Sequence, residues 1–127
     1  MPKILVIDDD ASIRALLTDV LECEGFTVRS AEDGFAGLRM VAADRPDCVV
    51  LDVMMPGMDG HAVLQRIRAA DGGPDLPVVM LTAAADDAQA WQAWTEGVDY
   101  FLATPFHPDE LLRYLDYLFA SRDRVAV

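Results

Sequence analysis

Several oxygen-bearing side chains follow short apolar runs at well-separated places in the sequence. These residues are Asp8, Asp9, Asp10, Asp52 and Thr82. Adjacent carboxylates repel one another, and the usual remedies are a raised pKa or a bound cation. A site built only from oxygen ligands, with positions open to water, suits Mg²⁺ better than zinc or copper. If the fold brings these side chains together, the sequence therefore predicts an acidic magnesium site.

Each residue also has a simpler interpretation when it is taken alone. A run of three aspartates can be a helix cap plus solvated charge, and Asp10 is well placed to cap a helix that starts near Ala11. Thr82 by itself is an ordinary strand-end residue. The chemical interpretation therefore depends on which elements carry these residues.

Short runs rich in β-branched residues predict five strands. Three of them are apolar throughout, as expected of strands buried on both faces of a parallel sheet, while the second and fifth are less apolar and fit edge positions. The five predicted strands are residues 4–7, 27–29, 49–51, 78–81 and 100–102.

Helical periods lie between and after these strands. The first predicted helix runs from near Ala11 to a stop at Gly25, and the others are residues 34–43, 60–70, 86–96 and a last helix that begins after Pro108. Strands that alternate with helices predict an α/β fold: a three-layer, doubly wound, flavodoxin-like parallel sheet of order 2-1-3-4-5 with five helices. In such sheets ligands bind beyond the carboxyl ends of the strands, which is where the aspartates and Thr82 fall.

Length and composition favour one globular domain. The chain has 127 residues, of which 53% are hydrophobic and 25% charged. We expect a domain over residues 1–122 and a tail or the start of a linker over 123–127. No apolar run approaches the roughly 18 residues that span a bilayer, and no secretory signal is apparent, so we expect a cytoplasmic protein. Cys23 and Cys48 are expected to be reduced thiols.

The charge makes direct binding to nucleic acid or to an anionic membrane improbable. Twenty-two acidic side chains face only ten basic ones, which gives a formal net charge of −12. Such acidity can also serve solubility alone. A nucleotide-binding role is disfavoured, because neither GxGxxG nor GxxxxGK occurs.

Taken together, the strand-end motifs resemble the receiver domain of bacterial two-component response regulators. They are Asp8-Asp9, the segment from Asp52 to Gly60, Thr82-Ala83 and Pro105-Phe106. The resemblance covers nearly the whole chain. It implies a non-enzymatic phosphoprotein of a phosphorelay, which accepts a phosphoryl group from a sensor histidine kinase or a phosphotransfer protein.

The resemblance also implies a role for individual residues. Asp9 would bind Mg²⁺ directly, with Asp8 assisting and the backbone carbonyl of Met54 as a further ligand. Asp52 would both ligate the metal and accept the phosphoryl group. Thr82 would hydrogen-bond the phosphoryl group and move toward it.

Thr104 is a departure from the family pattern. Receiver domains ordinarily carry a lysine before the Pro-Phe dipeptide, and its ammonium binds the phosphoryl oxygens. The chain's single lysine, Lys3, is predicted at the opposite end of the first strand. His61 and His107 are poor substitutes, since each is expected to be a solvated surface residue. Loss of such a charge-assisted contact, about 1.5–3 kcal/mol, predicts weaker phosphoryl binding or weaker coupling.

Two further features concern the output of the domain. Phe101 stands where the family places an aromatic switch residue, commonly Tyr, and its missing hydroxyl would favour the buried position; it can equally be a core residue. Trp91 and Trp94 lie three residues apart on the predicted fourth helix. The resemblance implies that this helix, the fifth strand and the fifth helix form a face for a downstream effector or a homodimer.

Two other functions compete with the phosphoryl-accepting receiver. One is a degenerate receiver that serves as a phosphorylation-independent interaction module because Thr104 replaces the lysine. The other is an aspartyl-phosphate phosphohydrolase, but those enzymes resemble a different pattern, Asp-x-Asp after the first strand, which Asp52-Val53-Met54 does not match. The sequence does not identify the kinase or the target.

Overall fold

The computed structural model describes residues 2–82, 97–103 and 106–126, with side chains described as far as residue 120. The predicted fourth helix, with Trp91 and Trp94, lies outside the described residues. Ala83, Thr104 and Pro105 also lie outside them.

The described strands form one parallel sheet of order β2-β1-β3-β4-β5. This confirms the predicted order, with the two less apolar strands at the edges. Each predicted strand lies within an observed one. The strands are β1 (Lys3–Ile7), β2 (Thr27–Ala31), β3 (Cys48–Asp52), β4 (Val78–Thr82) and β5 (Tyr100–Ala103).

The described helices cross over between successive strands or follow the last one. A short 3₁₀ helix, Gly73–Asp75, precedes β4. The α-helices are α1 (Ala11–Cys23), α2 (Gly34–Ala43), α3 (Gly60–Ala69) and α4 (Pro108–Ala126), the last of which corresponds to the fifth predicted helix.

Successive strand residues point to opposite sides of the sheet, and a hydrophobic cluster covers each face. One hydrophobic cluster joins alternate residues of β1 and β3 to α3 and includes Leu5, Ile7, Val49, Leu51, Val63 and Leu64. The other joins the intervening residues to α1 and α4 and includes Ile4, Val6, Leu17, Leu21, Leu111 and Leu115. This three-layer arrangement leaves the strand ends open to a ligand.

Aspartate side chains cap the helices that begin at the carboxyl ends of the strands. Asp10 accepts hydrogen bonds from the backbone N–H groups of Ser12 (2.8 Å) and Ile13 (3.4 Å), so its predicted role as the α1 cap is confirmed. Asp33 caps α2 and Asp59 caps α3 in the same way.

The start of α3 is pressed against the end of β3. A Cβ added to Gly60 would collide with the backbone carbonyl of Asp52 and approach the Cα of Val53 to 2.8 Å. Only glycine permits this approach, which fixes the loop 53–59 beside Asp52. Its tight path includes Gly57, whose φ of +81° lies in the left-handed region.

Both cysteines are free thiols, with Cys23 exposed and Cys48 buried, in agreement with the prediction. Among the residues that the structure describes, no helix combines the length and the apolar character needed to cross a membrane.

Candidate metal centre

Three aspartates meet at the carboxyl edge of the sheet. Asp8 and Asp9 directly follow β1, and Asp52 is the last residue of the neighbouring β3. One carboxylate oxygen from each of the three lies within 4.8 Å of the others. The structure therefore brings together the three residues for which the sequence predicted a shared site.

The three carboxylates differ in exposure and in hydrogen bonding. Asp8 is buried, Asp9 is exposed and Asp52 is half-buried. The backbone N–H of Asp10 donates to Asp8 Oδ1 (2.9 Å), and the backbone N–H of Met54 donates to Asp52 Oδ1 (3.2 Å). These bonds fix two of the carboxylates, while Asp9 stays accessible to solvent.

Burial and mutual repulsion disfavour the charged forms of two of these groups. The pKa of Asp52 is raised from 3.8 to about 7, first by burial and then by the negative charge of Asp8; the hydrogen bond from Met54 opposes this rise. The pKa of Asp8 is also raised, chiefly by burial, with Asp9 and Asp10 contributing through their charges. Negative charge is crowded here, and a cation would relieve it.

The donor set fits Mg²⁺. It offers carboxylate oxygens from two strand ends, and the exposed Asp9 leaves the site open to water, which this ion retains as part of its coordination. A cleft lies over the three carboxylates, and its walls also include Ile13, Met54, Leu81 and Phe106. The site therefore has room for a small anionic group beside Asp52.

Thr82 is the last residue of β4 and is fully buried. Its strand is hydrogen-bonded to β3, with Leu81 opposite Asp52, so Thr82 lies one residue beyond the register position of the candidate acceptor. Met54 is exposed, as a residue at the rim of the cleft.

Phe101, in β5, is half-buried and packs against the cluster that joins the sheet to α3. It lies opposite Met80 in the β4–β5 register. This placement is compatible with both interpretations of Phe101, an inward switch position and a core residue.

The two histidines have different environments. His107 is exposed, as predicted, and its Nδ1 lies 3.4 Å from Asp109 Oδ2. The prediction of a surface position for His61 is wrong, because His61 is buried. The cause is the close approach of the α3 start to the end of β3, which covers the first turn of the helix.

Arg14 is a residue that the sequence analysis did not single out. Its Nη1 donates to the backbone carbonyl of Asp8 (2.7 Å), so a guanidinium lies beside the acidic cluster. A signal was present in the sequence: Arg14 lies in the first turns of a helix that starts directly after the aspartates, within reach of the preceding strand end.

Comparison with known proteins shows the family. The response regulator receiver domain model matches residues 4–116, and the chain belongs to this family. The fold and acidic edge thus define a signalling domain of two-component systems.

Solved structures and curated sequences agree with this assignment. The chemotaxis protein CheY4 of Vibrio cholerae superposes with a TM-score of 0.87 at 31% identity over 92% of this chain and 98% of that one. A response regulator from Chloroflexus aurantiacus superposes with a TM-score of 0.88 at 33% identity, over 94% of this chain and 98% of that one.

Among curated proteins, the response regulator MprA of Mycobacterium ulcerans is 44% identical over 87% of this chain and 47% of its own length. The DNA-binding dual master transcriptional regulator RpaA of a Synechocystis strain is 38% identical over 98% of this chain and 52% of its own length. The chain thus spans about half the length of these curated relatives.

Proposed function

We propose that the domain accepts a phosphoryl group on Asp52, with Mg²⁺ bound by Asp8, Asp9, Asp52 and the backbone carbonyl of Met54. The observation that supports this most directly is the meeting of three carboxylates within 4.8 Å at the carboxyl edge of the sheet. The donor is a histidine kinase or phosphotransfer protein, as family membership suggests, and the site of action is the cytoplasm.

Phosphoryl transfer depends mainly on positioning and on charge stabilisation. Mg²⁺, when bound, supplies positive charge that offsets the repulsion between an attacking carboxylate and an anionic phosphoryl donor. Asp52 forms the new bond to phosphorus through a carboxylate oxygen, and the bond from phosphorus to the donor imidazole nitrogen breaks. The hydrogen bond from the Met54 N–H to Oδ1 holds the Asp52 carboxylate in place.

Thr82 and Phe101 are proposed to convert phosphorylation into a conformational change. Thr82 would hydrogen-bond the phosphoryl group and move toward it, and Phe101 would occupy the inward position as it does so. Support comes from the burial of Thr82 at the end of β4 and from the packing of Phe101 against the core in the adjacent strand.

The output surface is proposed to include β5 and α4, together with the predicted fourth helix. Its described part contains the stacked rings of Tyr100 and Tyr114, whose centroids are 4.4 Å apart, and the exposed ring of Tyr117. Aromatic residues are enriched where protein interfaces gain most of their binding energy. An effector protein or a second copy of the domain would bind here, whereas the net charge of −12 disfavours direct contact with DNA.

Acetyl phosphate with Mg²⁺ tests the acceptor assignment, with intact protein mass as the readout. The proposal predicts a labile gain of one phosphoryl group that disappears in Asp52→Asn. A matched control is Asp71→Asn, which removes an exposed carboxylate outside the site and should be phosphorylated like the wild type.

Thr104 supports a second candidate, the degenerate receiver that acts as a phosphorylation-independent interaction module. Absence of the usual lysine would weaken phosphoryl binding. If the wild-type protein binds Mg²⁺ but gains no mass at any donor concentration, the second candidate is favoured. Phosphorylation of the Thr104→Lys variant under the same conditions would then identify the missing cation as the cause.

A further inference from the structure

Arg14 links α1 to the end of the first strand. It is the fourth residue of α1, and its half-buried guanidinium donates through Nη1 to the backbone carbonyl of Asp8 (2.7 Å). The same carbonyl belongs to the residue whose carboxylate is the most buried of the acidic cluster. A fixed positive charge is thereby held next to crowded negative charges.

The charge of Arg14 acts on the cluster, and its hydrogen bond acts on the backbone. The Arg14 guanidinium lies against the Asp8 backbone, next to three carboxylates whose oxygens lie within 4.8 Å of one another, so its positive charge offsets part of their mutual repulsion. The effect of the charge and the effect of the hydrogen bond can be measured separately, because the bond goes to a backbone carbonyl, which a substitution of the Asp8 side chain does not remove.

We propose that Arg14 is a built-in counter-charge of the acidic pocket, which stabilises the carboxylates in the metal-free domain and competes electrostatically with the divalent cation. The competition part rests on the proposed Mg²⁺ site. When Mg²⁺ binds, two cationic groups share the pocket, so the counter-charge that helps the metal-free state lowers the affinity for the ion.

The sign of the change in affinity distinguishes this role from simple positioning. If Arg14 served only to hold the Asp8 backbone in place, its removal would loosen the site and weaken Mg²⁺ binding. If Arg14 serves as a counter-charge, its removal takes away a like charge and strengthens binding.

Isothermal titration of Mg²⁺ at low ionic strength is the first test. We expect Arg14→Met to bind Mg²⁺ about 2- to 5-fold more tightly than the wild type, because charges close to the site act strongly when salt does not screen them. Arg14→Lys, which keeps the charge and a donor, should resemble the wild type. Arg66→Met removes the same charge from an exposed position in the last turn of α3 and should leave the affinity unchanged.

A double-mutant cycle without metal is the second test. Arg14→Met is measured in the wild type and in Asp8→Asn, which removes the negative charge and keeps the backbone carbonyl. The counter-charge role predicts that the rise in the unfolding equilibrium constant caused by Arg14→Met is about 2- to 5-fold smaller in the Asp8→Asn background. Equal rises in the two backgrounds would overturn it.

The two proposals fail in different ways. If the wild type does not bind Mg²⁺, the proposed metal site and the competition are both contradicted, and the metal-free cycle decides the counter-charge role. If the wild type binds Mg²⁺ and Arg14→Met binds it equally or more weakly, the competition is contradicted while the metal site stands.

Discussion

The substitution Asp52→Asn should stabilise the metal-free domain at neutral and alkaline pH. The pKa of Asp52 is about 7 in the folded protein, compared with an ordinary value of 3.8. A difference of about 3 in pKa corresponds to about 4 kcal/mol of unfavourable energy for the charged form. Asp52 is only half-buried, so solvent screening reduces the expected gain to about 1–2 kcal/mol.

The pH dependence of this gain has a definite sign. Because the pKa is higher in the folded state, the folded protein binds more protons than the unfolded chain between about pH 4 and pH 7. The contribution of Asp52 to the free energy of unfolding therefore falls as pH rises through this window. The asparagine variant lacks this contribution, so its advantage should be full above pH 7 and should vanish near pH 4.

Urea denaturation with a metal chelator, at pH 8 and at pH 4.5, measures the effect. At pH 8 the variant should also melt about 4–8 °C higher, as expected for a domain of this size. The control Asp71→Asn should change the free energy of unfolding by less than about 0.5 kcal/mol. A variant equal to or less stable than the wild type at pH 8 would show that the carboxylates do not repel one another as described.

Three further predictions concern the metal site and its scaffold. Mg²⁺ should raise the melting temperature of the wild type. The affinity of the protein for Mg²⁺ should fall as pH falls below about 7, because protons compete with the ion for Asp52. A pH-independent affinity in titration calorimetry would contradict this. Arg68→Met should cost about 3 kcal/mol in urea denaturation, since this largely buried guanidinium donates to the carbonyls of Gly73, Leu76 and Gly97 and to Asp99; a cost like that of Arg66→Met would refute it. Gly60→Ala should cost about 2–3 kcal/mol and weaken Mg²⁺ binding, because its methyl group meets the Asp52 carbonyl; unchanged values of both would show that the loop yields freely.

The sheet could be predicted because its strands have a clear pattern in the sequence. The runs that became β1, β3 and β4 are apolar throughout, as parallel strands buried on both faces must be, and strands that alternate with helices are typical of a doubly wound sheet of this order. The candidate site followed from the same pattern, since Asp8, Asp9 and Asp52 each directly follow or end a buried run.

The environment of individual side chains was harder to predict. The burial of His61 depends on Gly60 allowing α3 to approach the Asp52 carbonyl, a tertiary contact that sequence periodicity does not report. The contact of Arg14 with the Asp8 carbonyl depends on the direction in which α1 leaves the first strand. Both details arise from how a helix start meets a strand end; the sequence places Arg14 near the aspartates, but it does not specify either contact.

The most direct measurement is a crystal structure of the protein grown with Mg²⁺ and beryllofluoride, a mimic of the phosphoryl group. A metal ion in contact with Asp9 and Asp52, and beryllofluoride on the Asp52 carboxylate with Thr82 turned toward it, is the predicted result. Density for the ion and the mimic at another place, or at neither carboxylate when both are present in excess, would contradict the assignment of this edge as a phosphoryl-accepting metal site.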